Sequence, residues 1–172
     1  MGFHSSGEKN PEKDDPHSNS NNRLARKTIP HMIWSNKKVL VTGAGGFIGS
    51  HLVEKLLDQN ARVRGLIRYN SRGDHGWLGS KPLAVKKDLE IYSADLKDAD
   101  GVRRAIKGCD VVFHLGALIS IPYSYEDPAN YVQTNIGGTL NILNASLEYG
   151  VQKVVHTSTS EVYGTAQYVP ID

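Results

Sequence analysis

The stretch that most constrains the fold is Lys38 to Asp58, KVLVTGAGGFIGSHLVEKLLD. It opens on a short apolar run, Val39-Leu40-Val41, which reads as a buried strand of a parallel sheet. Gly43, Gly46 and Gly49 follow, each three residues after the last. Then comes a helix in which Ile48, Leu52 and Leu56 recur every four positions, predicting one buried face. Strand, glycine turn and helix in this order are the context that a dinucleotide-binding turn requires. Gly43 permits the tight turn, Gly46 lets backbone approach a pyrophosphate, and Gly49 lets helix and strand pack closely. The anion would rest on the helix N-terminus at Phe47, Ile48 and Gly49, where free N–H groups and the helix dipole favour negative charge. The plain alternative is a glycine turn in an ordinary α/β unit. A Walker A loop is excluded, because no Gly-Lys-Ser/Thr closes the turn.

Thr42-Gly43-Ala44-Gly45-Gly46-Phe47-Ile48-Gly49 resembles the T-G-x-x-G-x-x-G signature of the extended short-chain dehydrogenase/reductases. That family includes the NAD-dependent nucleotide-sugar epimerases and dehydratases. The resemblance runs from about Asn36 to Asp172 and implies a Rossmann-type, doubly wound α/β fold. It also implies a cytoplasmic enzyme with a UDP-sugar substrate, no metal, and a homodimer at full length.

The 172 residues suffice for one domain with a real core, and a net charge of +2 gives no pull toward nucleic acid or an anionic membrane. The single cysteine, Cys109, excludes an internal disulfide, fits a reducing cytoplasm, and reads as a small buried residue leading into a strand. No apolar run approaches the roughly 18 residues of a membrane span, and no signal-peptide core opens the chain. Residues 1–35 are expected to be a disordered polar tail, since Ser, Asn, Pro and charge leave almost nothing to bury. Its Arg23, Arg26 and Lys27 read as a solvated cluster, and His4, His17 and His31 are too scattered for a metal site. Residues 36–172 are the expected cofactor-binding domain.

Along that domain, Arg62 to Ile67 reads as the second strand. At its C-terminal edge NAD-binding proteins place an acid on the ribose hydroxyls, but this chain has Arg68, followed by Asn70 and Ser71. An arginine can pair with a 2′-phosphate, which slightly favours NADP over NAD as the NAD(P) cofactor. The alternative is an exposed arginine, with backbone groups and Asn70 or Ser71 holding the ribose. RYNSRGDHGWL, Arg68 to Leu78, resembles the matching segment of UDP-N-acetylglucosamine-type 4,6-dehydratases of the legionaminic-acid branch, and Trp77 and Leu78 are expected to pack on the adenine side.

Leu89 to Ser93 is the third strand. The resemblance gives Asp95 the adenine amino group and Leu96 the face of the ring. Asp98 caps a helix that buries Val102 and Ile106 and stops at Gly108. Val111 to Leu115 is the fourth strand; after it Leu115, Gly116 and Ala117 let the nicotinamide-side ribose and phosphate pass, while His114 reads as a packed strand residue. Ile119 to Pro128 reads as a polar-aromatic loop before one long helix, Ala129 to Tyr149, burying Val132, Ile136, Leu140, Leu143 and Leu147. Asn135 lies on that predicted buried side, where the family's matching Asn braces the active site. Lys153 to Thr157 is the fifth strand, giving a 3-2-1-4-5 sheet with ligands at the switch point.

Ser158-Thr159-Ser160-Glu161-Val162-Tyr163-Gly164 resembles the S-T-D-E-V-Y-G of hexose 4,6-dehydratases. The resemblance assigns Thr159 to the sugar's 4-hydroxyl and Glu161 to removal of the C5 proton, in a cycle where hydride leaves C4, water leaves C6 and hydride returns to C6. Ser160 stands where the glucose-type enzymes carry the acid for the C6 oxygen. Ser-Glu there also occurs in UDP-glucuronate decarboxylases, which need no such acid, although that branch generally has Asp where Arg68 stands. The family's catalytic Tyr-x-x-x-Lys pair has no counterpart after this loop: Tyr163 has Gln167 four residues on, and Gly150 separates Tyr149 from Lys153. The chain is therefore expected to be the cofactor half of a larger enzyme, truncated before the substrate lobe and inactive alone. A non-catalytic dinucleotide-binding module is the other reading.

Overall fold

The computed structural model describes Gly2, residues 34–80 and residues 87–169. The sheet lies within the unit Ile33–Asp172. In order, the elements are β1 (Lys38–Thr42), α1 (Phe47–Asp58), β2 (Arg62–Ile67), β3 (Leu89–Ser93), α2 (Ala99–Ile106), β4 (Val111–His114), α3 (Ile121–Glu126), α4 (Pro128–Tyr131), α5 (Gly138–Glu148) and β5 (Lys153–His156). The strands form one sheet, ordered β3-β2-β1-β4-β5, and all its pairings are parallel. This is the Rossmann-type order expected from the sequence.

β1 lies at the centre, and its Val39, Leu40 and Val41 are fully buried. Alternation along the strand sends Val39 and Val41 to the face covered by α1, and Leu40 to the face covered by α2 and α5. Two covered faces explain why the strand is a continuous apolar run. On the second face Arg64 is also buried; it donates through Nε to Glu90 (2.9 Å) and through Nη1 to the carbonyls of Ala105 and Lys107 at the end of α2. A buried guanidinium is tolerable there because a carboxylate and the negative end of a helix both meet it. Cys109 is buried as expected, and burial pushes its thiol up.

α2 follows the sequence closely. The Asp98 carboxylate accepts from Asp100 N–H at its start, Val102 and Ile106 are fully buried, and Gly108 turns the chain at φ +76°. Two other helices differ from expectation. In α1 the buried residues are Gly49, Ser50, Val53, Leu56 and Leu57, whereas Ile48 is exposed beside the glycine turn. The inner face is therefore rotated one position from the Ile48-Leu52-Leu56 row, because Gly49 is the residue pressed against β1's turn.

The long helix runs where expected, unbroken from Pro128 to Glu148, but it is not oriented as expected. α3 occupies the supposed loop, α4 begins the long helix, and a π-helical turn, Val132–Gly137, joins α4 to α5. Val132, Ile136, Leu140, Leu143 and Leu147 are all exposed, and the buried residues of α5 are Gly138, Ile142, Ala145 and Ser146. The physical reason is close approach. A Cβ on Gly138 would lie 2.8 Å from Leu96 Cβ, so the helix presents its small residues inward and its leucines outward.

The expected disordered tail lies outside the described residues, apart from Gly2, Trp34 and Ser35. Trp34 is half-buried against Phe113, with ring centroids 5.8 Å apart, so the folded region takes in a residue that composition assigns to the tail. Among the described residues no helix is long and apolar enough to cross a membrane.

Candidate active site

The C-terminal ends of the strands open onto a cleft in two parts, with Gly116, Ala117 and Leu118 lining both. One cavity, about 250 Å³, is bounded by Gly43, by Leu66 and Arg68, and by Ala94 to Lys97. The other, about 450 Å³, is bounded by His114, Tyr131, Asn135, Thr139 and the run His156 to Thr159. The strand order reverses between β1 and β4, beneath the shared segment, which is where ligands bind in open parallel sheets.

The glycine turn is locked by contact. Gly43 has φ +67°, and a Cβ there would lie 2.9 Å from Gly116 N; a Cβ on Gly49 would lie 2.2 Å from Gly43 O. Gly46 is the N-cap of α1 and no side chain caps the helix, so the first-turn N–H groups at Phe47 and Ile48 keep no side-chain acceptor. Such an uncapped turn is a cradle for an anion, and it fits the pyrophosphate of a dinucleotide.

Arg68 is exposed, lines the 250 Å³ cavity and a neighbouring 290 Å³ cavity beside the glycine turn, and pairs with no other described residue. Asn70 reaches the second of these, but its amide is spent on its own loop. Its Oδ1 accepts from Arg72 N and Asp74 N, and its Nδ2 donates to Asp74 O. Ser71 is exposed and lines none of the three cavities. Trp77 and Leu78 do not pack on the adenine side. Leu78 is buried in the α1-side core, and Trp77 lies edge-on to Phe47 at 5.6 Å, because Trp77 N–H donates to Gly45 O and pins this loop to the glycine turn.

Asp95 and Leu96 wall the 250 Å³ cavity. Asp95 Oδ1 accepts from Lys97 N, and the Lys97 ammonium, 3.8 Å from Asp95 Oδ2, donates to Asn130 Oδ1 at 2.9 Å. Lys97 adds a cation to this wall that no sequence motif marked.

Leu115, Gly116 and Ala117 run along the cleft, and Asn135 braces the segment from behind. Its Nδ2 donates to Leu118 O (2.9 Å) and its Oδ1 accepts from Leu118 N (2.8 Å). His114 is buried, with Nδ1 2.8 Å from Thr42 Oγ1 and Nε2 3.0 Å from Thr139 Oγ1. Burial and the stacked His156 ring push its pKa down to about 4. It is a packed strand residue, as read, but a polar one with both nitrogens engaged. The signal was available in Thr42, a hydroxyl ending an otherwise apolar strand.

Thr159 lines the 450 Å³ cavity, and its hydroxyl accepts from Glu161 N–H at 3.3 Å as a 3-10 turn, Ser160–Tyr163, begins. Ser160 and Glu161 stand exposed just beyond. Tyr149 closes α5 and Lys153 opens β5, so those two do not share a helix.

Residues 40–172 match the family described as GDP-mannose 4,6 dehydratase. Cinnamoyl-CoA reductase 1 of Petunia hybrida is 41% identical over 125 residues, covering 73% of this chain and 36% of the relative. The structure of UDP-N-acetylglucosamine 4-epimerase from Methanobrevibacter ruminantium M1, in complex with UDP-N-acetylmuramic acid, is similar at a TM-score of 0.70 and 36% identity; the match covers 80% of this chain and 43% of that one. That of the Thermus thermophilus UDP-glucose 4-epimerase in complex with NAD is similar at 0.59 and 40% identity, covering 71% and 37%. The chain thus spans about two-fifths of the length of the relatives it matches.

Proposed function

The chain belongs to the GDP-mannose 4,6 dehydratase family, among the NAD-dependent epimerases and dehydratases of the short-chain dehydrogenase/reductases, and we propose that it is the NAD(P)-binding part of a nucleotide-sugar 4,6-dehydratase. Its proposed substrate is a UDP-N-acetylhexosamine, a class that the UDP-N-acetylmuramic acid in the methanogen relative supports. The observation that carries the reading is Thr159 on the wall of the larger cavity, with Glu161 two residues on, at the end of β5.

Bound NAD(P) supplies a reversible hydride acceptor, and the uncapped N-terminus of α1 holds its pyrophosphate. Asp95 and Leu96 wall the 250 Å³ cavity, where Asp95 would accept from the adenine amino group and Leu96 would lie under the ring. Arg68, which pairs with no other described residue at the cavity edge, would take a 2′-phosphate and so slightly favour NADP over NAD. The Thr159 hydroxyl orients the sugar's 4-hydroxyl. Once C4 is a ketone the C5–H is acidified, and the exposed Glu161 carboxylate removes it. Ser160 can bond the C6 oxygen but is a far weaker acid than a carboxyl.

That weakness favours one second reading, a UDP-glucuronate decarboxylase, in which the 4-keto sugar loses carbon dioxide and no C6 acid is needed. The test joins the chain to the remaining part of a relative and supplies UDP-N-acetylglucosamine or UDP-glucuronate. A 4-keto-6-deoxy product, read by its alkali absorbance, is expected from the first sugar, with Glu161→Gln stopping elimination while reduced cofactor accumulates. Release of carbon dioxide from the second, or simple C4 epimerisation, would replace the dehydratase reading.

A further inference from the structure

The two cavities meet at Gly116 to Leu118, and the hydrogen bonds around the segment Leu115–Leu118 have a fixed direction. Thr42 Oγ1 accepts two backbone N–H groups, from Leu115 at 3.1 Å and from Gly116 at 2.9 Å. A hydroxyl has two lone pairs and one proton, so with both pairs used the proton goes to the remaining neighbour, His114 Nδ1, at 2.8 Å. Nδ1 is then an acceptor, and a neutral ring must carry its proton on Nε2. That proton faces Thr139 Oγ1 at 3.0 Å, whose own hydroxyl donates to the carbonyl of Asn135 at 2.6 Å. Asn135, in turn, holds both backbone groups of Leu118. The chain of donors runs one way, from the Thr42 end of β1 across β4 to the helical segment.

We propose that Thr42, His114 and Thr139 form a one-way hydrogen-bond relay that positions the Leu115–Leu118 segment for the nicotinamide half of the dinucleotide, with His114 neutral and protonated on Nε2. The three act as positioning residues, since none of them needs to touch the reacting atoms. Thr42 sets the near end of the segment and Asn135 the far end, while His114 fixes the spacing between the strand and the helix that carry them. A protonated ring would offer a donor to the Thr42 hydroxyl, whose lone pairs are taken, and would break the chain at its centre. His156 is stacked on the ring with centroids 5.1 Å apart, and a charge there also disfavours a charged His114.

The cofactor arm of the test rests on the dinucleotide reading, but the tautomer arm does not. In the ¹⁵N-labelled chain, nitrogen–proton correlation spectra should show His114 as the neutral Nε2–H tautomer from about pH 8 down to about pH 5.5. An Nδ1–H tautomer, or titration at the ordinary histidine value, overturns the relay whatever the cofactor does. NAD titration should show Thr42→Val and Thr139→Val weakening binding by about tenfold or more, because each orphans buried partners. Thr42→Ser and Thr139→Ser keep the hydroxyl and should bind within about twofold of the parent chain. Equal loss in the serine and valine variants would make the role one of packing and overturn the proposal. If the parent chain binds no NAD, the dinucleotide reading fails, and the tautomer alone decides the relay.

Discussion

At the glycine turn a Cβ on Gly49 would lie 2.2 Å from a carbonyl oxygen, whereas every residue from Thr157 to Val169, after β5, is exposed. The first end of the cleft is made by β1 at the centre of the sheet, with neighbours on both sides and helices on both faces. The second end hangs from β5, which pairs with β4 alone among the described strands and follows the exposed leucines of α5. The contrast teaches that holding a dinucleotide needs backbone geometry fixed to a fraction of an ångström, which only a packed centre supplies. The groups assigned to sugar chemistry sit instead on an exposed turn.

Substitutions can break this comparison or sharpen it. The largest effect belongs to Gly49→Ala: a methyl 2.2 Å from Gly43 O cannot be accommodated without moving α1 off β1, and about 3–5 kcal/mol of stability should be lost in urea unfolding. If the variant unfolds like the parent, the turn is not the rigid end. Gly46→Val has more room, its nearest neighbour being Gly43 O at 3.2 Å, so it should keep most stability yet lose dinucleotide binding, read by titration with NADP.

Acid should act next most strongly, and at the packed end. The folded His114 has a pKa of about 4 against an ordinary 6.5, so between those values the unfolded chain binds the extra proton. Stability due to this group is full above about pH 6.5 and is lost as pH falls toward 4, on the order of 3 kcal/mol in all. Denaturant midpoints across that window should fall for the parent and fall less for His114→Gln.

Arg68→Asp, at the rim, should cost NADP affinity by about 1.5–3 kcal/mol and NAD less, measured by calorimetric titration. Tighter binding of NAD than NADP by the parent would remove the preference assigned to Arg68. The smallest effects are expected at the exposed end. Leu147→Ser and Glu161→Gln should each change unfolding free energy by less than about 0.5 kcal/mol, since Leu147 is 85% exposed and Glu161 is also at the surface. A larger loss at Leu147 would mean that the α5 stripe is covered in solution.

The same contrast governs what the sequence revealed. The strands, their order and the glycine turn could be read because each is specified locally, by apolar runs of strand length and by glycines where a side chain would collide. The inner face of α5 could not, because Gly138, Ala145 and Ser146 carry almost no hydrophobic signal and the choice of face depends on Leu96 across the gap. Ile48 misled for a related reason: periodicity finds a row of apolar residues but not the glycine that must face inward. Trp77 was placed on the wrong side because one backbone bond, to Gly45 O, fixes its loop. The roles of Thr42 and Thr139 lie in a relay spanning three elements, which no spacing within one element can show.

Leu96 couples two properties that an engineer would want to adjust separately. It walls the 250 Å³ cavity; its Cδ1 would meet a Cβ on Gly116 at 3.0 Å and its Cβ would meet one on Gly138 at 2.8 Å, while its carbonyl accepts from Asn141. A larger residue would push the helix layer outward, and a smaller one would let it settle inward. Retuning this chain for a different base or ring would therefore require respacing the helices in the same step, so selectivity here is tied to the thickness of the protein.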